Sequence, residues 1–416
     1  MKFILFILMI FQLSLLSAQE ILRFSIQKEV VLPDQPVNLP LDGIDYNNDK
    51  GELTLYEVSG DKFIPVPSQI EAGHSARLWF ILKNNNDTDG PAEFVVMRSK
   101  NPIDYATTIE IKKNQGKLRF EKDGHPVLNY RYGTTYPPDG IDPLFRRSGF
   151  IHPLWSPAGE ELTRIQPSDH YHHYGIWGPW TKTHIEGREV DFWNLGKGEG
   201  TVKFAGFLSL TEGPIFSSFR ALQQHIDFGA TGADSLAISE VLDVRIWNIE
   251  DAVWVIDYTT SLNSELKNGI LLDAYRYGGG IGFRATEKWH KDNCTVLTSE
   301  NKTRANADGS NARWCIVEGE SETPEGRSGI VFMSHPANRM HPEPMRVWPL
   351  DANAGRGDIF FEFTPIRHKE WKIEPHHDYT LKYRMIVFDG TIDAETAEKY
   401  WQDFAKSPKI TIIEKR

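Results

Sequence analysis

Turn-forming residues recur along this 416-residue chain at intervals too short to hold crossover helices. Parallel strands need connections of a dozen or more residues, so this spacing restricts the chain to a mainly antiparallel, all-β architecture. From Ile21 to about Ile111 the apolar segments at 29–32, 52–58, 76–82 and 93–97 are short and alternating. Pro, Gly, Asn and Asp punctuate them, most densely over 84–90, as in a small sandwich. A second region opens near Gly116 and repeats the pattern through 202–204, 237–247, 253–262, 329–333, 359–363 and 379–388. One helix is predicted near the C-terminus. Asp393 caps it, Ala394, Ala397, Tyr400, Trp401 and Phe404 form its apolar stripe, and Ser407-Pro408 ends it. The expected division is an N-terminal β module over 19–115 and a larger distorted β-sandwich over 116–416 that carries the helix.

Residues 1–18 read as a cleavable signal peptide. Lys2 supplies the positive end, 3–16 is apolar apart from Gln12 and Ser14, and Ser17-Ala18 supplies small residues. The run is too short for a comfortable membrane span, and no cysteine follows it to carry a lipid. The expectation is a periplasmic or secreted protein with no membrane contact once the signal is removed. A net charge of −11 argues against nucleic acid and against anionic membrane surfaces. An anionic substrate would then need a local Arg or His pocket. Cys294 and Cys315 leave a disulfide open, their spacing fits no zinc motif, and nothing fixes the oligomeric state.

The segment 168–180 places His170, His172 and His173, Tyr171 and Tyr174, and Trp177 and Trp180 within thirteen positions. Read as extended, it puts His170, His172 and Tyr174 on one face and His173 on the other. Imidazole titrates nearest neutrality, phenol can donate a proton, and indole offers a flat apolar surface to a pyranose ring. Trp155, Trp177, Trp180 and Trp193 are the candidate stacking platforms. Such a density of polar rings points to a site rather than a core, because each buried polar group needs a partner. The glycine run at 278–282 lacks the Lys-Ser/Thr ending of a phosphate loop and reads as a tight bend. His335, Arg339 and His341 sit on a proline-stiffened loop of the kind that often carries site residues. Trp348 and Glu362 are candidates to border the same cleft.

Residues 149–163 and 167–177, Asp191-Phe192-Trp193, and the segments 278–284, 335–342 and 383–390 together resemble the bacterial family labelled "methane oxygenase PmoA". One cleavable apolar segment cannot build a membrane oxygenase, so the label does not describe the chemistry. The resemblance implies carbohydrate degradation. More narrowly, it implies an exported marine-bacterial dehydratase of ulvan breakdown, on a fold similar to mutarotase and polysaccharide-lyase supersandwiches. Where relatives carry Pro and Arg in the histidine motif, this chain has Tyr171 and Tyr174, which leaves the substrate open.

Such an enzyme would remove water across C4–C5 of a non-reducing-end glucuronate or iduronate on an anionic oligosaccharide. The C5 proton is acidic only once the neighbouring carboxylate is neutralised, so a cation, a base and an acid are required. His170 or His172 is the expected base, with Tyr174 or a remaining histidine as acid. Arg276, Arg284 or Arg339 would supply the fork for the carboxylate. No cofactor is predicted, although His170 and His172 with His341 or Glu362 could hold a divalent metal. A hydrolase using Asp169, Glu186, Asp191 or Glu362 and a non-catalytic carbohydrate-binding protein are the alternatives.

Overall fold

The computed structural model describes residues 19–27, 34–46, 51–73, 75–83, 91–229, 234–249 and 252–416. The expected signal peptide at 1–18, the segment 29–32 and the turn region 84–90 lie outside these residues. The chain divides into two compact units. The first comprises Met1–Thr108, Gly213–Ile215 and Lys406–Arg416, and the second Ile109–Glu212 and Phe216–Ala405.

In the first unit a five-stranded sheet runs in the order Ile410–Lys415, Gln19–Gln27, Pro91–Ser99, Glu52–Ser59, Lys62–Val66. A three-stranded sheet of Gln35–Pro40, Arg77–Leu82 and Ser68–Glu71 shares its core. Phe24, Phe80 and Phe94 meet there with ring centroids 5.3 to 6.2 Å apart. This is the small sandwich the alternation implied.

The second unit is built on two large antiparallel sheets. One has eight strands in the order Gly200–Thr211, Phe216–Asp227, Ser235–Trp247, Val253–Asn263, Tyr379–Asp389, Arg327–Ser334, Trp314–Glu320, Cys294–Thr298. The other has nine strands and includes Phe150–Leu154, Ile176–Trp177, Ile281–Arg284, Phe360–Phe363 and Glu343–Val347. Their inner faces form one core, joined by pairs such as Tyr130 with Phe219 at 4.3 Å and Phe283 with Phe332 at 5.2 Å. The long strands alternate because one face meets this core and the other meets solvent.

Two boundaries differ from the sequence expectation. Ile109–Asn114 pairs with Lys117–Lys122, so Gly116, near which the second region was expected to open, lies in a hairpin turn of a unit that begins at Ile109. Residues 410–415 pair with Gln19–Gln27, returning the chain's end to the first unit. The helix Ala394–Ala405 is capped as expected, with Thr396 N donating to Asp393 Oδ1 at 2.8 Å. Its Trp401 Nε1 donates to the Ser334 carbonyl at 3.0 Å, which seats the helix on the eight-stranded sheet. Cys294 faces Gly319 and Cys315 faces Thr298 across one strand pair, so the register holds the two thiols apart, free and buried.

Candidate active site

The histidine segment is a tight loop, not a strand. His170 N donates to the Pro167 carbonyl and His173 N to the His170 carbonyl, while Gln166 N and the His173 carbonyl close its base. Gly175, at φ +68°, permits the exit: a Cβ there would lie 2.4 Å from the Ile151 carbonyl oxygen. Turning rather than alternating brings all three imidazoles together. Ring centroids are 4.7 Å apart for His170 and His173, 4.9 Å for His172 and His173, and 5.3 Å for His170 and His172. The expectation that His173 faces away is therefore corrected.

The imidazoles line a cleft of about 510 Å³, including its open mouth, together with Trp193, Asn194, Tyr275, Arg276, Tyr277 and Trp348. His170 packs on Trp348 at 4.9 Å and His172 on Trp193 at 5.3 Å. Asp191 fixes the Trp193 wall by accepting from the backbone N–H groups of Trp193 and Asn194 at 3.0 and 2.8 Å. Trp193 Nε1 then donates to the His172 carbonyl at 3.0 Å. Opposite, the glycine run lets the chain pass close to the sheet. A Cβ at Gly279 would lie 2.0 Å from the Phe363 carbonyl oxygen, and Gly278 N donates to Glu362 Oε1 at 2.6 Å. This bend delivers Tyr275, Arg276 and Tyr277 to the cleft.

A charge chain lies behind the imidazoles. His170 Nδ1 meets Asp169 Oδ2 at 2.7 Å, and Arg284 donates to Asp169 at 2.8 Å and to Asp358 at 2.6 Å. Arg164 and Arg356 also pair with Asp358. Burial opposes ionisation of Asp169, but its hydrogen bond to His170 and the Arg284 charge hold it well below the usual carboxylate range. Burial, and then the nearby Arg164 charge, bring Arg284 down to about 10. Burial first, and the neighbouring His170 second, lower His172 to about 4. Burial likewise holds the enclosed His173 well below the usual imidazole range. His172 and His173 are thus neutral near pH 7. Tyr277 Oη accepts from Arg346 Nη2 at 3.1 Å and Trp348 Nε1 at 3.2 Å, which leaves its own proton to donate elsewhere.

Several sequence candidates fall elsewhere. Tyr174 is fully buried, its hydroxyl donates to the Phe145 carbonyl, and burial pushes it up to about 12. Trp177 packs beneath His173 at 5.5 Å, and Trp180 lies in the core against Trp371. Neither indole offers a free face. Arg284 is buried and donates to two carboxylates through Nη2. Arg339 donates to the carbonyls of Lys369 and Glu370. His335 packs edge-on against Phe404, and His341 stacks on Trp401. Of the three arginines proposed for a carboxylate, only Arg276 lines the cleft. For a metal, the ligand atoms brought within 4.8 Å of one another are those of His170, His172 and His173, with neither His341 nor Glu362 among them. The sequence reading named Asp169 and Arg284 in other roles but missed the chain that joins them to Asp358, and it assigned no role to Tyr275, Tyr277 or Asn194. Of these last three, only Tyr275 and Tyr277, flanking Arg276, carried any signal.

The model of a family described as "Family of unknown function (DUF6807)" matches residues 117–402. No curated protein matches the chain. Among solved structures, the chain is similar to an alpha-mannosidase from Enterococcus faecalis V583, at 9% identity and a TM-score of 0.44, covering 96% of this chain and 46% of that one. It thus spans less than half of the mannosidase's length. It is also similar to a GalM/aldose epimerase homologue from C. elegans, at 7% identity and a TM-score of 0.29, covering 69% of this chain and 100% of that one.

Proposed function

This chain belongs to the DUF6807 family of unknown function, and we propose that it is an exported carbohydrate-active dehydratase, a carbon–oxygen lyase. Its substrate is an oligosaccharide of ulvan type ending in glucuronate or iduronate, and its product carries the 4,5-unsaturated uronate. The observation that carries this reading is that three imidazoles share one aromatic-walled cleft with the guanidinium of Arg276, which lies over the Tyr277 ring at 5.3 Å and, among the described residues, has no carboxylate partner. Export rests on the signal-like residues 1–18, and the sugar on the sequence resemblance.

The residues fit the chemistry as follows. Arg276 receives the uronate carboxylate in two parallel hydrogen bonds and lowers the cost of charge building up at C5. Trp193, Trp348, Tyr275 and Tyr277 hold the pyranose ring by its apolar faces. Removal of the C5 proton and protonation of O4 fall to the titratable groups facing the ring, His170, His172 and Tyr277. Asp169 orients His170 through Nδ1. The cleft-lining residues include no Asp or Glu, which favours elimination over hydrolysis by paired carboxylates.

The test compares a uronate-terminated oligosaccharide with its counterpart whose terminal carboxylate is reduced to an alcohol. Dehydration of the acid and inertness of the alcohol are expected. Equal processing of both, or shortening of either, would overturn the proposal.

A further inference from the structure

We propose that His170, His172 and His173 bind one divalent transition-metal ion at the base of the cleft, with at least one coordination position left open to it. Their ligand atoms all lie within 4.8 Å of one another before any ion is present, so three imidazole nitrogens already share one small volume. Imidazole suits zinc, cobalt, nickel, copper and iron. Three protein ligands plus an open position is the arrangement of catalytic rather than structural zinc.

Two further observations point to a ligand. His173 is 1% exposed, and its Nε2 is buried with no hydrogen-bond partner. A buried nitrogen left without a partner is unfavourable, and coordination would satisfy it. On the other side of that ring, Arg284 Nη1 lies 3.5 Å from Nδ1, too long a contact to fix the tautomer. The second observation is the Asp169–His170 pair. A carboxylate on one ring nitrogen directs the other nitrogen toward a metal and raises its basicity. The nearby Arg284 charge is offset by its two carboxylate partners, Asp169 and Asp358. A bound ion would add its charge to that of Arg276 at the substrate carboxylate.

The experiment is calorimetric titration of chelator-stripped full-length protein with zinc, nickel or cobalt chloride. One equivalent is expected to bind. H172A and, as a gentler change, H172Q should each weaken binding at least about 100-fold, and D169N about 10- to 100-fold. H341A, on the separate loop, should leave binding unchanged. Absence of a stoichiometric site, or equal affinity in folded H172A, H172Q and wild type, would overturn the inference. The titration contains no sugar, so its failure leaves the dehydratase reading intact, and failure of that reading leaves the metal count unaffected.

Discussion

At the residue scale, the cleft separates groups that touch substrate from groups that hold them in place. Arg276→Ala should raise KM for a uronate-terminated substrate and lower kcat, because the lost fork both binds the acid and offsets the charge that builds up at C5. Steady-state kinetics with both parameters unchanged would contradict that role. Tyr277→Phe removes the one cleft hydroxyl held by both a guanidinium and an indole, and kcat should fall about 10²- to 10⁴-fold. An unchanged kcat would remove Tyr277 from the proton transfer. Arg284→Met leaves Asp169 and Asp358 facing each other without their shared cation. Urea unfolding should show a loss of about 3–5 kcal/mol, and a loss below about 1 kcal/mol would mean the charge chain is not structural. The histidine cluster and Arg276 were legible because their residue types are rare in such density. Arg284, Arg339 and Tyr174 misled for a common reason. Sequence shows a guanidinium or a phenol but not the distant carboxylate or carbonyl that already occupies it.

At the scale of elements, strands and the single helix were legible from period and punctuation, and the histidine loop was not. Its polar residues mimic an alternating strand, while the hydrogen bonds that turn it involve backbone groups that any residue carries. The strand Glu343–Val347 holds a second feature that sequence does not reveal. Glu343 is fully buried, and burial raises it to about 7 despite hydrogen bonds from Ser334, Tyr383 and Asn338. The fold therefore binds this proton more tightly than the unfolded chain, where ionisation occurs near 4.5. The stability this confers is complete below the unfolded value and is lost as pH rises through about 7. The difference corresponds to about 3 kcal/mol. Glu343→Gln should flatten the decline in stability between about pH 5 and about pH 8 and exceed wild type at the upper end. A residual slope is expected, because burial likewise raises Asp403 to about 7. Thermal melts with the wild-type pH slope in the variant would refute the assignment.

At the scale of the whole molecule, the all-β class and the presence of two units were readable, but not where the chain's end belongs. Residues 410–415 carry no signal beyond alternation, and the pairing that returns them to Gln19–Gln27 spans nearly the entire sequence. Removing Lys406–Arg416 should expose one edge of Gln19–Gln27 to exchange, while the eight-stranded sheet keeps its protection. Hydrogen-exchange mass spectrometry showing both sheets unchanged would contradict the pairing. The nine-stranded sheet serves the cleft indirectly, because the histidine loop lies between its strands Phe150–Leu154 and Ile176–Trp177 and the glycine bend leads into its strand Ile281–Arg284. Whether that place removes water from an acidic sugar is best decided by following purified protein and a defined uronate-terminated oligosaccharide in one time course, by mass and by ultraviolet absorbance together. The expected record is a product lighter by one water whose mass change and conjugated-alkene absorbance rise in step. An oligosaccharide that is shortened, or that keeps its mass while no absorbance develops, would contradict it.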